Sequence, residues 1–135
     1  MAEAALRKEL RRKKITGYTV QSAGLSVKAG SCLSANSAQA LSEAKIPVLK
    51  SFKPRQLTEK LIKSAAVVVC MTDAHRRVLA AFENVTSFPA LCGIEIPDPY
   101  GQDIVVYRAT LRYIRECIPR VVELYCPPIT SEKTD

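Results

Sequence analysis

Seven consecutive residues near the middle of the chain, Ala65-Ala66-Val67-Val68-Val69-Cys70-Met71, are apolar without a polar interruption, and three of them in a row are valine. A run this short and β-branched, with no alternation of apolar and polar positions, predicts a strand covered on both faces, the situation of a parallel sheet between helices. Its flanks agree. A helix is predicted from about Pro54 or Thr58 to Ser64, carrying Leu57, Leu61 and Ile62, and another from Asp73 to Phe82. The next strand-like stretch falls within Val85 to Leu91, with Pro89 inside it. Helix and strand in alternation imply a layered α/β fold with a parallel sheet.

The rest of the chain extends that pattern. Met1 to Lys14 has Ala2, Ala5, Leu6 and Leu10 near one face at helical spacing, and Gly17 ends the helix. Tyr18 to Gly24 reads as a short strand closing on a glycine turn. A helix is expected from about Asn36 to Ala44, capped by Ser34 and barred from resuming by Pro47. The last helix runs from about Gln102 to Leu124, with Ile104, Tyr107, Leu111, Ile114 and Ile118 at three- and four-residue steps, and Pro119 should bend or interrupt it. Residues 1–126 are expected to form one domain, and residues 127–135 a disordered tail. The alternation begins in mid-unit, so the fold class expected is a doubly wound, mostly parallel α/β sheet whose first strand would precede Met1.

Composition removes several function classes. The 135 residues carry a net charge of +7, concentrated in Arg7, Lys8, Arg11, Arg12, Lys13 and Lys14. No aromatic residues interleave with these bases to stack on nucleotides, and cations suit the C-terminal end of a helix, so nucleic-acid binding is not expected. Attraction of anionic substrates is the other use of such charge. No run is long enough for a membrane span, and no apolar leader follows the first charges. The five cysteines (Cys32, Cys70, Cys92, Cys117 and Cys126) form no CxxC pair and do not cluster with the single His75. Neither a zinc site nor a disulfide framework is expected, and a reducing cytoplasm follows. No cofactor is implied.

Several short segments, in order, resemble the low-molecular-weight protein tyrosine phosphatases. Met1-Ala2-Glu3-Ala4-Ala5 is similar to the helix opening behind that family's phosphate loop. Ser22-Ala23-Gly24 resembles the end of its second strand, Arg55-Gln56-Leu57 its third-helix entry, and Met71-Thr72 with His75 its third-strand exit. Ile96-Pro97-Asp98-Pro99-Tyr100-Gly101, followed by Tyr107 on a helix, resembles its acid loop and final helix. The resemblance spans nearly the whole chain and implies a four-stranded parallel sheet, a phosphorylated protein or small aryl phosphate as substrate, and hydrolysis through a cysteinyl phosphate. It also implies that Asp98 is the general acid, protonating the leaving oxygen and later activating water, and that Tyr100 helps wall the substrate pocket.

One departure matters for the chemistry. The family signature, a cysteine, five residues, an arginine and a serine or threonine, would lie just upstream of Met1. The chain as given is therefore expected to be an N-terminally incomplete and inactive form, with self-association through exposed sheet edges where the first strand would lie. Alternatives are a non-catalytic binding module of the same fold, or a relative of arsenate reductases. The choice between phosphotyrosine and phosphoarginine depends on loop residues that are not in this sequence.

Other residues compete for attention. Taken alone, Asp98 before a proline and near Gly101 is ordinary turn chemistry, and Tyr100 an ordinary loop tyrosine. Cys70 and Arg76 also stand a cysteine, five residues and an arginine apart. That segment lacks a glycine to turn successive amides inward, places Asp73 where an anion would sit, and has Arg77 where a hydroxyl is needed, so it is expected to be structural. His75 is expected in a hydrogen-bond network beside Asp73. Ser22 and Asn36 are candidates for supporting a phosphate loop from behind.

Overall fold

The computed structural model describes residues 1–27, 33–49 and 52–129. Its elements, in order, are α1 (Ala2–Arg12), α2 (Ala35–Glu43), α3 (Glu59–Ser64), β1 (Val68–Cys70), α4 (Asp73–Val78), β2 (Val85–Ser87), α5 (Phe88–Cys92) and α6 (Ile104–Tyr125). β1 and β2 are parallel, with Val68, Val69 and Cys70 opposite Val85, Thr86 and Ser87. The α/β class expected from the apolar run is thus present, with helices around a parallel strand pair.

The core is organised on α6. Its 22 residues make a rod of about 33 Å. Tyr107, Thr110, Leu111, Ile114, Cys117, Ile118, Val121 and Val122 form its buried stripe. Ala4, Ala5 and Leu10 of α1, Ala40 and Leu41 of α2, and Phe88 of α5 join that stripe in one cluster. A smaller cluster of Ile62, Cys70 and Leu79 lies under α3 and α4. Pro119 does not interrupt α6, contrary to expectation. It is exposed, so the carbonyl one turn back that loses its helical donor faces solvent instead of core.

The helix ends show why these segments stop where they do. α1 and α2 close with the same device. Lys14 and Lys45 adopt a left-handed φ of 57°. Ile15 N–H then reaches Leu10 C=O, and Ile46 N–H reaches Leu41 C=O, each at 2.9 Å. This is a Schellman ending with its usual apolar contact, so α1 ends before Gly17. Lys8 Nζ also donates to the Ala44 and Lys45 carbonyls at 3.2 and 3.0 Å, tying α1 to the end of α2. Ser34, Thr58, Thr72, Ser87 and Asp103 cap the five later helices with side-chain oxygens, which satisfies first-turn amides. At the opposite side of α2, Glu43 accepts from both Arg108 Nε and a terminal guanidinium nitrogen at 2.7 Å. Those bonds hold its carboxyl at a pKa of about 2.

Three sequence expectations need correction. Tyr18 to Gly24 is not a strand: among the described residues its only ladder contact is an isolated parallel bridge between Gly24 and Gln56. A strand needs a neighbour, and here Arg7 donates to the Val20 carbonyl where a ladder amide would otherwise stand. The strand expected within Val85 to Leu91 ends at Ser87, because the Ser87 hydroxyl caps a new helix and Pro89 sits in its first turn, where a missing N–H costs nothing. The helix after β1 ends at Val78, short of Phe82. Of the expected disordered tail, Pro127 accepts a hydrogen bond from the Tyr18 hydroxyl, and residues 130–135 lie outside the described residues.

Leu41 is 1 % exposed, between α1 and α6. Leu41→Ala is expected to lower unfolding stability by roughly 2–5 kcal/mol, read as a shifted urea midpoint. Val105→Ala on the exposed side of α6 should change it by less than about 0.5 kcal/mol.

Candidate active site

In parallel α/β sheets ligands bind beyond the carboxyl ends of the strands, and β1 delivers the chain to that edge. Past Cys70, the Met71 carbonyl accepts from Ile96 N–H at 3.0 Å, which draws the segment leading to Asp98 up to the end of the sheet. Ile96 is buried and anchors the loop behind it, while Asp98 itself is exposed.

The loop is shaped by its own residues. Asp98 Oδ1 accepts from Tyr100 N–H at 3.0 Å, the Pro99 carbonyl accepts from Gln102 N–H at 2.9 Å, and Gly101 takes a φ of +81° that a side chain would resist. Asp103 then caps α6 through Val106 N–H at 3.2 Å. From outside the loop, Asn36 Nδ2 donates to the Gln102 carbonyl at 3.2 Å. The second carboxylate oxygen of Asp98 has no hydrogen-bond partner among the described residues. Tyr100 is 75 % exposed and stands beside it. The turn chemistry and an available carboxylate therefore coexist at Asp98.

The start of α2 lies between this loop and the start of α1. Asn36 reaches Gln102, and Leu33 with Leu41 lines a slot that Met1 also borders. α1 has no side-chain cap at its N-terminus, so its first amides lack a capping acceptor. Glu3, in its first turn, pairs with Arg7 and accepts from Ser22 Oγ at 2.6 Å. Of the two residues expected to support a phosphate loop, Asn36 is thus committed to the Asp98 loop and Ser22 to Glu3.

A polar network at the strand ends takes up the remaining candidates. Ser87, fully buried, donates to Asp73 Oδ1 at 2.7 Å, and Asp73 N–H donates to Glu95 Oε1 at 3.0 Å. His75 is exposed on α4; the partner of Asp73 is Ser87, a contact across fourteen residues that local sequence does not announce. Cys70 is buried against Ile62 and Leu79, and burial pushes its thiol up despite the opposing field of Arg76. That shift disfavours the thiolate a nucleophile requires.

The cysteine expectation also needs correction. Cys92, at the end of α5, and Cys117, on the buried stripe of α6, form a disulfide with Cα atoms 5.9 Å apart. Parity and spacing hid it because the pairing depends on how α5 packs against α6. Cys70 and Cys126 are free and buried, and Cys32 lies outside the described residues. The bridge closes the segment holding Asp98. Among the described residues no helix is long and apolar enough to cross a membrane.

A family model for the low molecular weight phosphotyrosine protein phosphatases matches residues 1–124. The YwlE arginine phosphatase of Geobacillus stearothermophilus is 29% identical, with 90% of this chain and 80% of that one covered at a TM-score of 0.75. A low molecular weight protein tyrosine phosphatase from Bacillus subtilis is 25% identical over 90% and 85% of the two chains, with a TM-score of 0.78. A tyrosine phosphatase of the same class from T. tengcongensis shares the fold at a TM-score of 0.81, with 21% identity over 90% and 87%. A search of curated proteins by sequence finds no match.

With Cys92 and Cys117 joined, three of the five cysteines should react with a thiol reagent in denaturant, and all five after reduction. Closing about 25 residues implies that Cys117→Ser costs roughly 3.5 kcal/mol under oxidising conditions. Equal denaturation midpoints for this variant and the parent would rule the bridge out as a stabilising link.

Proposed function

The chain belongs to the low molecular weight phosphotyrosine protein phosphatase family, and from that premise we propose that Asp98 is the proton donor and acceptor for hydrolysis of a phosphorylated residue. The observation that carries this reading is the Asp98 loop itself. One carboxylate oxygen is held by Tyr100 N–H, the other has no hydrogen-bond partner among the described residues, and the loop is fastened to the end of β1. Such a carboxyl can protonate a departing oxygen and then take a proton from the water that attacks a cysteinyl phosphate. Tyr100, exposed beside it, offers an apolar face to an aryl group.

The nucleophile and phosphate cradle are a separate matter. Cys70 is the only cysteine of the 135 residues followed by arginine six positions on, and its buried thiol is unsuited to attack. We therefore propose that these 135 residues alone do not turn over a phosphate ester. Activity would require a strand and a cysteine, five residues, arginine, serine loop joined to Met1, placing that loop's amides at the open start of α1. Phosphotyrosine or an aryl phosphate is the favoured substrate. Phosphoarginine is the second reading, supported by the 29% identity to a structure described as an arginine phosphatase. A cytoplasmic setting belongs to the same proposal.

The edge of β1 adds a further element. Among the described residues β1 pairs with β2 alone, and an open edge invites another strand. Self-association of the 135-residue chain is therefore proposed.

In a version carrying the added strand and loop, Asp98→Asn keeps the acceptor for Tyr100 N–H and removes the acid. It should lower kcat for para-nitrophenyl phosphate by about 10²–10⁴-fold, with a similar loss for phosphoarginine peptide if that is the better substrate. Undiminished kcat, or equal turnover by the 135 residues alone, would remove the assignment. Sedimentation of the 135-residue chain should show a weight-average mass that rises with concentration; a monomer at every concentration would refute edge pairing.

A further inference from the structure

We propose that the groove between α2 and α6, away from the Asp98 loop, docks an acidic amphipathic segment of a partner protein. This inference does not rest on the phosphatase reading. The groove is an open concavity of about 460 Å³. Its floor is Ala40, Ala44 and Leu111, and its rim carries Arg108, Arg112 and Arg115. The small alanines of α2 leave the space; a longer side chain at either would fill it.

The charge of the groove selects the partner. The three arginines follow one another at four- and three-residue steps, so they make a ridge about 10 Å long on one side of α6. Arg108 is engaged by Glu43 and closes one end. Neither Arg112 nor Arg115 hydrogen-bonds a carboxylate among the described residues. Arg112 lies over the Tyr113 ring, 5.5 Å from its centroid, which orients the guanidinium without neutralising it. Arg115 is near enough to α1 for its charge to reach the Glu9 carboxylate, which is held down first by its hydrogen bond to Arg12; Arg12 and Lys13 are themselves paired with Glu9 and add no free charge to the ridge. Glu116 at the far end is the one opposing charge on the rim besides Glu43.

An apolar floor under unspent guanidiniums and an exposed tyrosine has the composition of an interaction surface, where arginine and tyrosine are enriched and planar forks take carboxylates in pairs. The matching ligand presents glutamates or aspartates at helical spacing around a small or branched apolar side chain that enters above Ala40 and Leu111. Nucleic acid fits less well: the two glutamates lie on the rim, and the Tyr113 ring is covered by Arg112.

The test uses the 135-residue chain and a fluorescein-labelled, alanine-rich helical peptide with glutamates spaced around a central leucine, followed by anisotropy at about 0.15 M salt. Saturable one-to-one binding is expected, weakened at least tenfold in an R112E/R115E double variant and unchanged in a K60E/K63E variant on α3. Both pairs are exposed, so circular dichroism and thermal melting should show all chains folded. Equal binding by the R112E/R115E variant overturns the proposal. So does tighter binding of a single-stranded oligonucleotide through the same arginines, or loss of peptide binding on replacing leucine by alanine without any change on charge reversal. Self-association that is abolished in the R112E/R115E variant, which would show the groove filled by a second copy of the chain, would likewise overturn it.

Discussion

The structure depends on the continuous apolar stripe of α6. α1, α2 and α5 all reach it, and each brings a different functional consequence. α2 sets Asn36 beside the Asp98 loop, α1 sets its uncapped first turn near the same face, and α5 feeds the chain toward Ile96. Thr110 and Tyr107 bring the hydroxyls of that stripe, and the Thr110 hydroxyl returns to the Val106 carbonyl at 2.8 Å. No buried side-chain nitrogen or oxygen lacks a partner among the described residues, so no unmet side-chain group offsets the hydrophobic burial on α6. The parallel strand pair is short by comparison and could not orient these helices by itself.

What the sequence revealed divides along the range of the interaction. The apolar run around β1, the helical stripe of α6 and the turn at Asp98 rest on residues within a few positions of one another, and their elements form. Tyr18 to Gly24 has strand composition yet no ladder, because pairing depends on a neighbour brought from elsewhere. Its extended course is fixed instead by Arg7 and Glu3 from α1. Phe88 to Cys92 shows local signals in conflict: the residues look strand-like, but a serine cap followed by proline starts a helix. The Cys92–Cys117 bridge and the Ser87–Asp73 bond are both set by tertiary packing, and no spacing rule contains them.

The candidate site shows the same division. Asp98, Pro99, Gly101 and Asp103 define the loop through contacts of two or three residues, and that is why its form can be read from six letters of sequence. Its placement has a longer reach. Met71 holds one end, Asn36 the other, and the α5–α6 bridge encloses the whole segment. These anchors lie outside the residues that shape the loop itself.

This separation bears on how an acid and a nucleophile can be distributed in such a fold. A general acid needs only one free carboxylate oxygen and a fixed distance to the leaving group, requirements that a self-capped turn on a rigid strand end can meet. A phosphate cradle needs several converging amides and a thiolate held against its natural protonation, which a loop running directly into a helix N-terminus can supply together. Cys70 illustrates the contrast: it ends a strand before a helix with an arginine at the right interval, but its burial raises the thiol pKa and the first amide of that helix is taken by the Glu95 carboxylate. Motif spacing is satisfied there while the electrostatics are reversed, so the spacing alone carries no chemistry.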